Sequence, residues 1–440
     1  MSPPLVSLDS SLSQQKNFGY CFFKGKAVSN IQLFNHAHHI SQTLSEKKFF
    51  INLCHDRYYF AVAYLAGVLS KRPILLPPNQ ANRTIQELLQ QYPDSICISD
   101  QHDCEKNTFK IDAWHPELQT TPTLSCTPDQ ITSISFTSGS TGQPKAIHKT
   151  WQEFQMGAQL ALRQLELENK ELSIIATVPP QHMFGLETGL FWPLFSNLMV
   201  ESQRPFFPED IRKKISEAKT PCLLVTTPKH LKSCVDANLQ WQNVNRIVCS
   251  TAPMSLELAQ QVEACFNAPL YEIFGSTETL SYASRRITKN PKWRPYQGIT
   301  INQQARQFTV SGGHLEKPVV LDDQFKIENN GHFNVIGRST DLIKIAGKRA
   351  SLLQLNTLLQ NIKEVQDGVF FITKNERLGA LVVSQLTKKQ LRDALKQSID
   401  PVFLPRPLYF INQLPRNEVG KLMQSRLNAL IKSLQRDKNS

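Results

Sequence analysis

None of the nine cysteines stands in a C-x-x-C pair, and nine is an odd number. That spacing excludes a zinc ribbon and a small disulfide scaffold, and reduced thiols in a cytosolic protein are the expectation. Long apolar runs are missing too. The longest, residues 58–69, falls short of the roughly 20 needed to span a bilayer. Residues 1–17 are polar and lack an apolar core, so no secretory signal and a cytoplasmic, soluble chain are expected. There is no run of five Lys/Arg and no basic–aromatic ladder, so nucleic acid is not an expected partner. No repeat with a period of 20–50 residues occurs.

What is present is enough apolar material for large cores. Of 440 residues, 40% are hydrophobic and 20% charged, which excludes global disorder and a collagen-like repeat. The length suggests about two to four domains. The net charge is +12 and uneven: from Arg338 onward 18 Lys/Arg face 8 Asp/Glu, so 18 − 8 = +10. Such a field suits an anionic cofactor, an acidic membrane surface, nucleic acid or an acidic protein, and equally a solvated basic face.

Pattern along the chain predicts an α/β layout. Helices are expected over 28–49, 58–70 and 84–91, with buried strands at 73–76 and 95–99. Residues 100–130 are polar and turn-rich and read as a connection. A strand at 131–136 leads into a Gly/Ser/Thr-rich loop, followed by an amphipathic helix over 151–168. Strands at 172–177, 222–226, 246–250 and 270–274 alternate with helices at 208–218, 228–237 and 256–266. Residues 305–336 read as short antiparallel strands. A boundary near 337–340 separates an N-terminal domain, 1–337, from a small α+β domain, 338–440. That domain has strands at 369–373 and 380–383 and a basic terminal helix.

The loop reads Thr137, Ser138, Gly139, Ser140, Thr141, Gly142, Gln143, Pro144, Lys145. Hydroxyls and backbone N–H groups donate to phosphate oxygens, glycines allow close approach, and Lys145 adds a point charge. The Walker spacing G-x-x-x-x-G-K-[ST] is absent. The order T-S-G-S-T-G-x-P-K resembles the phosphate loop of the adenylate-forming superfamily. Three further segments fit it in order: Y-E-I-F-G-S-T-E-T at 271–279, G-R-S-T-D-L-I-K-I-A-G-K-R at 337–349, and L-P-R-N-E-V-G-K at 414–421. The resemblance covers residues 131–427.

It implies a large N-terminal domain of layered α/β subdomains with a small β-barrel-like part, and a small mobile C-terminal lid. It also implies that ATP and Mg²⁺ serve carboxylate activation: a carboxylate attacks the α-phosphate, giving an acyl-adenylate and pyrophosphate. Charge builds on the phosphates, so donors and cations are needed there. By resemblance, Thr137 to Thr141, Gly142 and Lys145 cradle pyrophosphate. Thr277 meets the α-phosphate and Glu278 holds Mg²⁺, a hard cation suited to carboxylate oxygen. Phe274, Gly275, Ala252 and Pro253 line the nucleotide slot. Asp323, fifteen positions before Arg338, joins it at the ribose, although Asp322 replaces the family's preceding glycine. Lys421 bridges carboxylate and α-phosphate. Thr340 stands at the hinge position, where Asp or Lys is usual. Gly347 flanks the pantetheine tunnel, and Gln354 to Asn356 replace the usual E-I-E. His182, Phe184 and Gly185, in a segment similar to P-x-x-H-x-x-G, wall the acid pocket, with a core histidine as the competing reading for His182.

The acid itself is not spelled out. No aspartate typical of amino-acid activation occurs at 223–229, and only about 130 residues precede the phosphate loop, fewer than in long-chain acyl synthetases. The stretches at 52–60, 75–79, 136–145 and 148–151 resemble compact ligases of aryl polyene and xanthomonadin pathways. That implies a hydroxybenzoate-like acid passed to the phosphopantetheine thiol of an acyl carrier protein, an acidic partner for the +10 domain. CoA is the alternative acceptor. A non-catalytic nucleotide-binding relative is the alternative class, suggested by Asp322, Thr340 and Gln354.

Overall fold

A helix that is apolar on every side has to be enclosed. In the computed structural model the helix Arg57–Leu69 is buried from Arg57 to Val68 and capped by Asp56, whose carboxylate accepts from Tyr58 N at 2.8 Å. The structure describes residues 6–7, 19–101, 107–112, 125–138, 144–305, 307–338, 341–345, 348–373, 377–417, 420 and 422–436. Around this helix lie two sheets. The first has six strands in the order Pro144–Thr150, Ile131–Ser138, Ile74–Leu76, Phe49–Asn52, Ser95–Ser99, Thr108–Lys110. It is parallel except for the antiparallel pair at its Pro144–Thr150 edge.

The second sheet has nine strands: Arg294–Pro295, Leu280–Arg285, Leu270–Ser276, Val244–Cys249, Cys222–Thr226, Ser173–Ala176, Met199–Glu201, Gly19–Phe23, Lys26–Ser29. From Leu270–Ser276 to Gly19–Phe23 all neighbours are parallel, so these strands end on one edge. The two sheets share a core in which Tyr64, Phe154 and Phe191 meet, the Phe154 and Phe191 rings stacked at 4.1 Å. Arg57 ties the sheets together. Fully buried at the start of its helix, it donates to the carbonyls of Ala176 at 2.7 Å, Gln203 at 3.2 Å, and Val178.

A three-stranded antiparallel sheet, Ile299–Gln304, Gln307–Gly312, Leu315–Leu321, and the hairpin Asp323–Ile327/Phe333–Arg338 form the small all-β part. Beyond it the hairpin Leu342–Ile345/Lys348–Ser351 and the sheet Val365–Ile372, Leu378–Ser384, Leu408–Phe410 pack with helices Leu352–Gln360, Lys388–Ser398 and Gln424–Arg436. This lobe has its own apolar cores.

Three local expectations change. The helix expected over 28–49 is the strand Lys26–Ser29 followed by Asn30–Thr43, because Ser29 and Gln32 close a capping box that starts the helix two residues late. The connection at 100–130 contributes Thr108–Lys110 to the first sheet and Ser125–Cys126, which pairs with Val6–Ser7. The phosphate loop leads into a second strand, Pro144–Thr150, before the helix Trp151–Gln164. Among the described residues no helix is long and apolar enough to cross a membrane.

Candidate active site

In open α/β sheets ligands settle at the carboxyl ends of parallel strands. At that edge of the nine-stranded sheet three of the expected segments emerge side by side. Ser173–Ala176 runs into 177–185, Val244–Cys249 into 250–254, and Leu270–Ser276 into 277–280. Gly185 sits so close to Pro179 that a Cβ would lie 2.0 Å from its carbonyl oxygen, which holds the His182–Phe184 turn down on the strand end. Phe184 is buried and His182 half-buried. Ala252 is half-buried, Pro253 exposed, and Thr251 before them adopts φ 83°, a strained backbone for a β-branched residue.

Thr277 and Glu278 occupy the tip of a tight hairpin between Leu270–Ser276 and Leu280–Arg285. Gly275 opposes Ser281 there, and a Cβ on it would fall 1.9 Å from the Leu280 carbonyl oxygen. The turn is closed by Ser276 N donating to Thr279 Oγ1 at 2.9 Å. Phe274, half-buried, packs with Tyr282 (5.5 Å), Trp293 (5.1 Å) and Phe333 (6.0 Å). The fifteen-residue spacing of Asp323 and Arg338 closes into register: the two stand directly opposite across one hairpin. Asp323 also reaches this cluster. Burial pushes the Tyr282 phenol well up from its ordinary value, and the Asp323 charge adds to the push.

The phosphate loop joins an antiparallel pair, with Lys145 opposite Thr137 and Pro144 opposite Ser138. Lys145 is exposed. Gly139, Ser140, Thr141 and Gly142 lie outside the described residues, as do Thr340, Gly347 and Lys421. Gly420, immediately before Lys421, sits beside the Lys229 side chain at the start of helix Pro228–Asp236. Its loop is held by Arg416, which donates to Asp367 at 2.6 and 2.7 Å and to the Gly420 carbonyl at 2.9 Å. The arginine of L-P-R is thus the clamp for the lysine loop.

Glu278 forms no ion pair or side-chain hydrogen bond among the described residues, and it is half-buried beside the hydroxyl of Thr277. An unpaired carboxylate fits Mg²⁺, which takes one or two carboxylates and completes its shell with phosphate and water oxygens. No cluster of three or more metal-ligating side chains occurs among the described residues.

Several polar residues at this edge lie outside the four ordered motifs. Lys149 donates to the Glu278 carbonyl, Glu187 accepts from Ser281, and His314 donates to the Thr279 carbonyl. His230 is buried, its Nδ1 2.9 Å from Thr227 Oγ1, and burial lowers it to about 4, so it is neutral. A threonine pair next to a proline at a strand end is a weak signal that could have drawn attention to His230.

The Thr277–Glu278 turn and the Asp323–Arg338 pair thus lie around one aromatic cluster, as the resemblance to adenylate-forming carboxylate ligases implies. The chain belongs to the AMP-binding enzyme family, whose profile matches residues 40–313. It is therefore a member of the AMP-forming acid–thiol ligase family. It is 22% identical to a 2-succinylbenzoate–CoA ligase of Staphylococcus epidermidis, over 68% of this chain and 70% of the relative. It is 20% identical to a 3,4-dihydroxybenzoate–[aryl-carrier protein] ligase of Bacillus anthracis, over 67% and 73%. In fold it matches O-succinylbenzoate coenzyme A synthetase (MenE) from Bacillus subtilis in complex with ATP and magnesium ion, with TM-score 0.81, 17% identity, and 95% and 98% of the two chains covered.

Proposed function

We propose that this ligase activates an aromatic, hydroxybenzoate-like acid and passes it to the phosphopantetheine thiol of an acyl carrier protein. The observation that carries the acceptor is charge: the lobe from Arg338 onward holds +10 of the chain's +12. Carrier proteins are acidic, and opposite fields steer encounter. The Bacillus anthracis relative combines an aromatic acid with an aryl-carrier protein in its name, which supports the same pairing.

In this reading Lys145 and the hydroxyls of Thr137 to Thr141 draw charge from the β- and γ-phosphates. Thr277 donates to the α-phosphate. Glu278 supplies the carboxylate for Mg²⁺, which when bound neutralises charge developing on the phosphates. Asp323 accepts from the ribose hydroxyls and Arg338 lies across from it. Phe274, Gly275, Ala252 and Pro253 line the base. His182, Phe184 and Gly185 wall the acid, and Lys421 bridges its carboxylate to the α-phosphate. Rotation at Thr340 then withdraws Lys421 and opens a thiol path past Gly347. A CoA acceptor is the second reading, favoured by the named activity of the Staphylococcus relative.

The test is a mass-spectrometric screen. Protein with Mg·ATP and a panel of aromatic and aliphatic acids should yield acyl-AMP for hydroxybenzoates, and holo-carrier protein should gain the acyl mass. Acyl-CoA formed in place of acyl-carrier protein would overturn the acceptor. Acyl-AMP from aliphatic acids alone would overturn the acid.

A further inference from the structure

The turn at 276–281 presents Thr277 and Glu278, and three buried side chains from distant elements hold its backbone. Lys149 Nζ donates to the Glu278 carbonyl at 2.6 Å. His314 Nε2 donates to the Thr279 carbonyl at 2.7 Å, since a carbonyl can only accept. The Glu187 carboxylate accepts from Ser281 N at 3.1 Å and from Ser281 Oγ at 2.6 Å. Lys149, His314 and Glu187 are 3%, 2% and 4% exposed. None belongs to the four ordered motifs.

Lys149 also pairs with Glu153 at 2.6 Å, and Glu153 caps the helix Trp151–Gln164 through Thr150 N. Lys149 lies on the strand Pro144–Thr150 that carries Lys145. One buried cation thus couples the phosphate hairpin to the Glu278 turn. Its charge also reaches Glu187. Buried charges are a poor route to stability, since apolar groups of similar volume often serve as well. What these groups supply is placement.

We propose that Lys149 and Glu187 are positioning residues that set Glu278 and Thr277 for the nucleotide-bound cation. This rests on the role proposed above for Glu278. With Lys149 anchoring the carbonyl of Glu278 and Glu187 anchoring the far leg of the turn, the carboxylate of Glu278 has a fixed base from which to reach its ligand. The double variant Lys149→Met/Glu153→Gln removes the cation and its counterion together, so no orphan charge stays buried. Glu187→Gln keeps one acceptor for Ser281.

The measurement is Mn²⁺ binding in the presence of ATP by electron paramagnetic resonance, alongside pyrophosphate exchange and thermal melting. For both variants the half-saturating Mn²⁺ should rise about tenfold or more, with kcat falling alongside. The KM for the acid should stay near wild type, because the acid contacts are untouched. Folded variants with wild-type Mn²⁺ dependence and kcat would overturn the proposal. Should the double variant not fold, Ser281→Ala decides, since it removes the hydroxyl that donates to Glu187 at 2.6 Å and leaves the backbone contact in place. It should raise the half-saturating Mn²⁺ in the same direction, and no change would overturn the proposal. Glu278→Ala separates the two ideas. If it leaves Mn²⁺ binding intact, the cation role of Glu278 fails; if it weakens binding while the positioning variants do not, the positioning role fails.

Discussion

The turn at 276–281 and the segment around Gly420, the two proposed to meet the nucleotide, are held in different ways. The 276–281 turn is gripped by buried side chains from three separate elements of the N-terminal domain. Arg416 is clamped to Asp367 and to the Gly420 carbonyl, both in the small C-terminal lobe. A group fixed from many sides can hold charge in place. A group clamped by side chains of its own lobe can travel with that lobe. The contrast is what the roles proposed for Glu278 and Lys421 require: a cation ligand that stays and a lysine that departs.

The harshest way to break that contrast is Lys421→Ala. Pyrophosphate exchange should fall about 10²–10³-fold, the size expected for loss of one charged contact at the reacting phosphate. Thioester formation from supplied acyl-adenylate should persist. Equal loss of both half-reactions would remove Lys421 from its assigned role. Freeing the loop, as opposed to deleting its amine, should be milder. Arg416→Ala breaks a two-pronged pair with Asp367 and should cost exchange about tenfold, the equivalent of about 1.5 kcal/mol for a hydrogen bond to a charged group. The supplied-adenylate reaction again serves as the control.

On the fixed side, Glu187 gives a pH signature. Burial lifts it from 4.5 to about 7, against the pull of Ser281 and Lys149. The folded state therefore holds this proton more tightly than the unfolded chain. Glu187 costs nothing below pH 4.5, its penalty grows as pH rises, and the penalty is complete above about 7. Glu187→Gln should thus gain melting temperature relative to wild type between pH 5 and 8, by an amount worth roughly 3 kcal/mol at the upper end. A difference that is flat with pH would show that Glu187 is ionised throughout. Gly275→Ala tests the shape of the turn itself. Its Cβ meets the Leu280 carbonyl, and relief by a backbone shift should cost about 1–3 kcal/mol in thermal stability. An unchanged melt would mean that the hairpin tip is looser than its geometry suggests.

The family was legible because the residue types of its motifs are chemically unusual and occur in a fixed order. The Asp323–Arg338 spacing was legible for a second reason: a hairpin of that length returns one residue opposite the other. Most buried strands were readable as short β-branched runs, as at 222–226, where every residue is buried. The strand Pro144–Thr150 was not, because Lys145, His148 and Lys149 break its apolar pattern and the helical signal of 151–164 overshadows it. Glu187 was invisible for a different reason. It is a lone acid inside the apolar stretch 183–194, and its partner, Ser281, is 94 positions away. Lys149 reaches across 129 positions to Glu278. No local period encodes such a contact.

Arg57 carries a lesson for anyone recombining this scaffold. It belongs to the layer built around the six-stranded sheet, yet its guanidinium completes the backbone of Ala176, Val178 and Gln203 in the other layer. Gln181, next to His182, likewise donates across the seam to the Cys54 carbonyl. A chimera that imports a foreign 177–205 segment to alter acid choice would inherit a mismatched seam unless residues 54–57 travel with it.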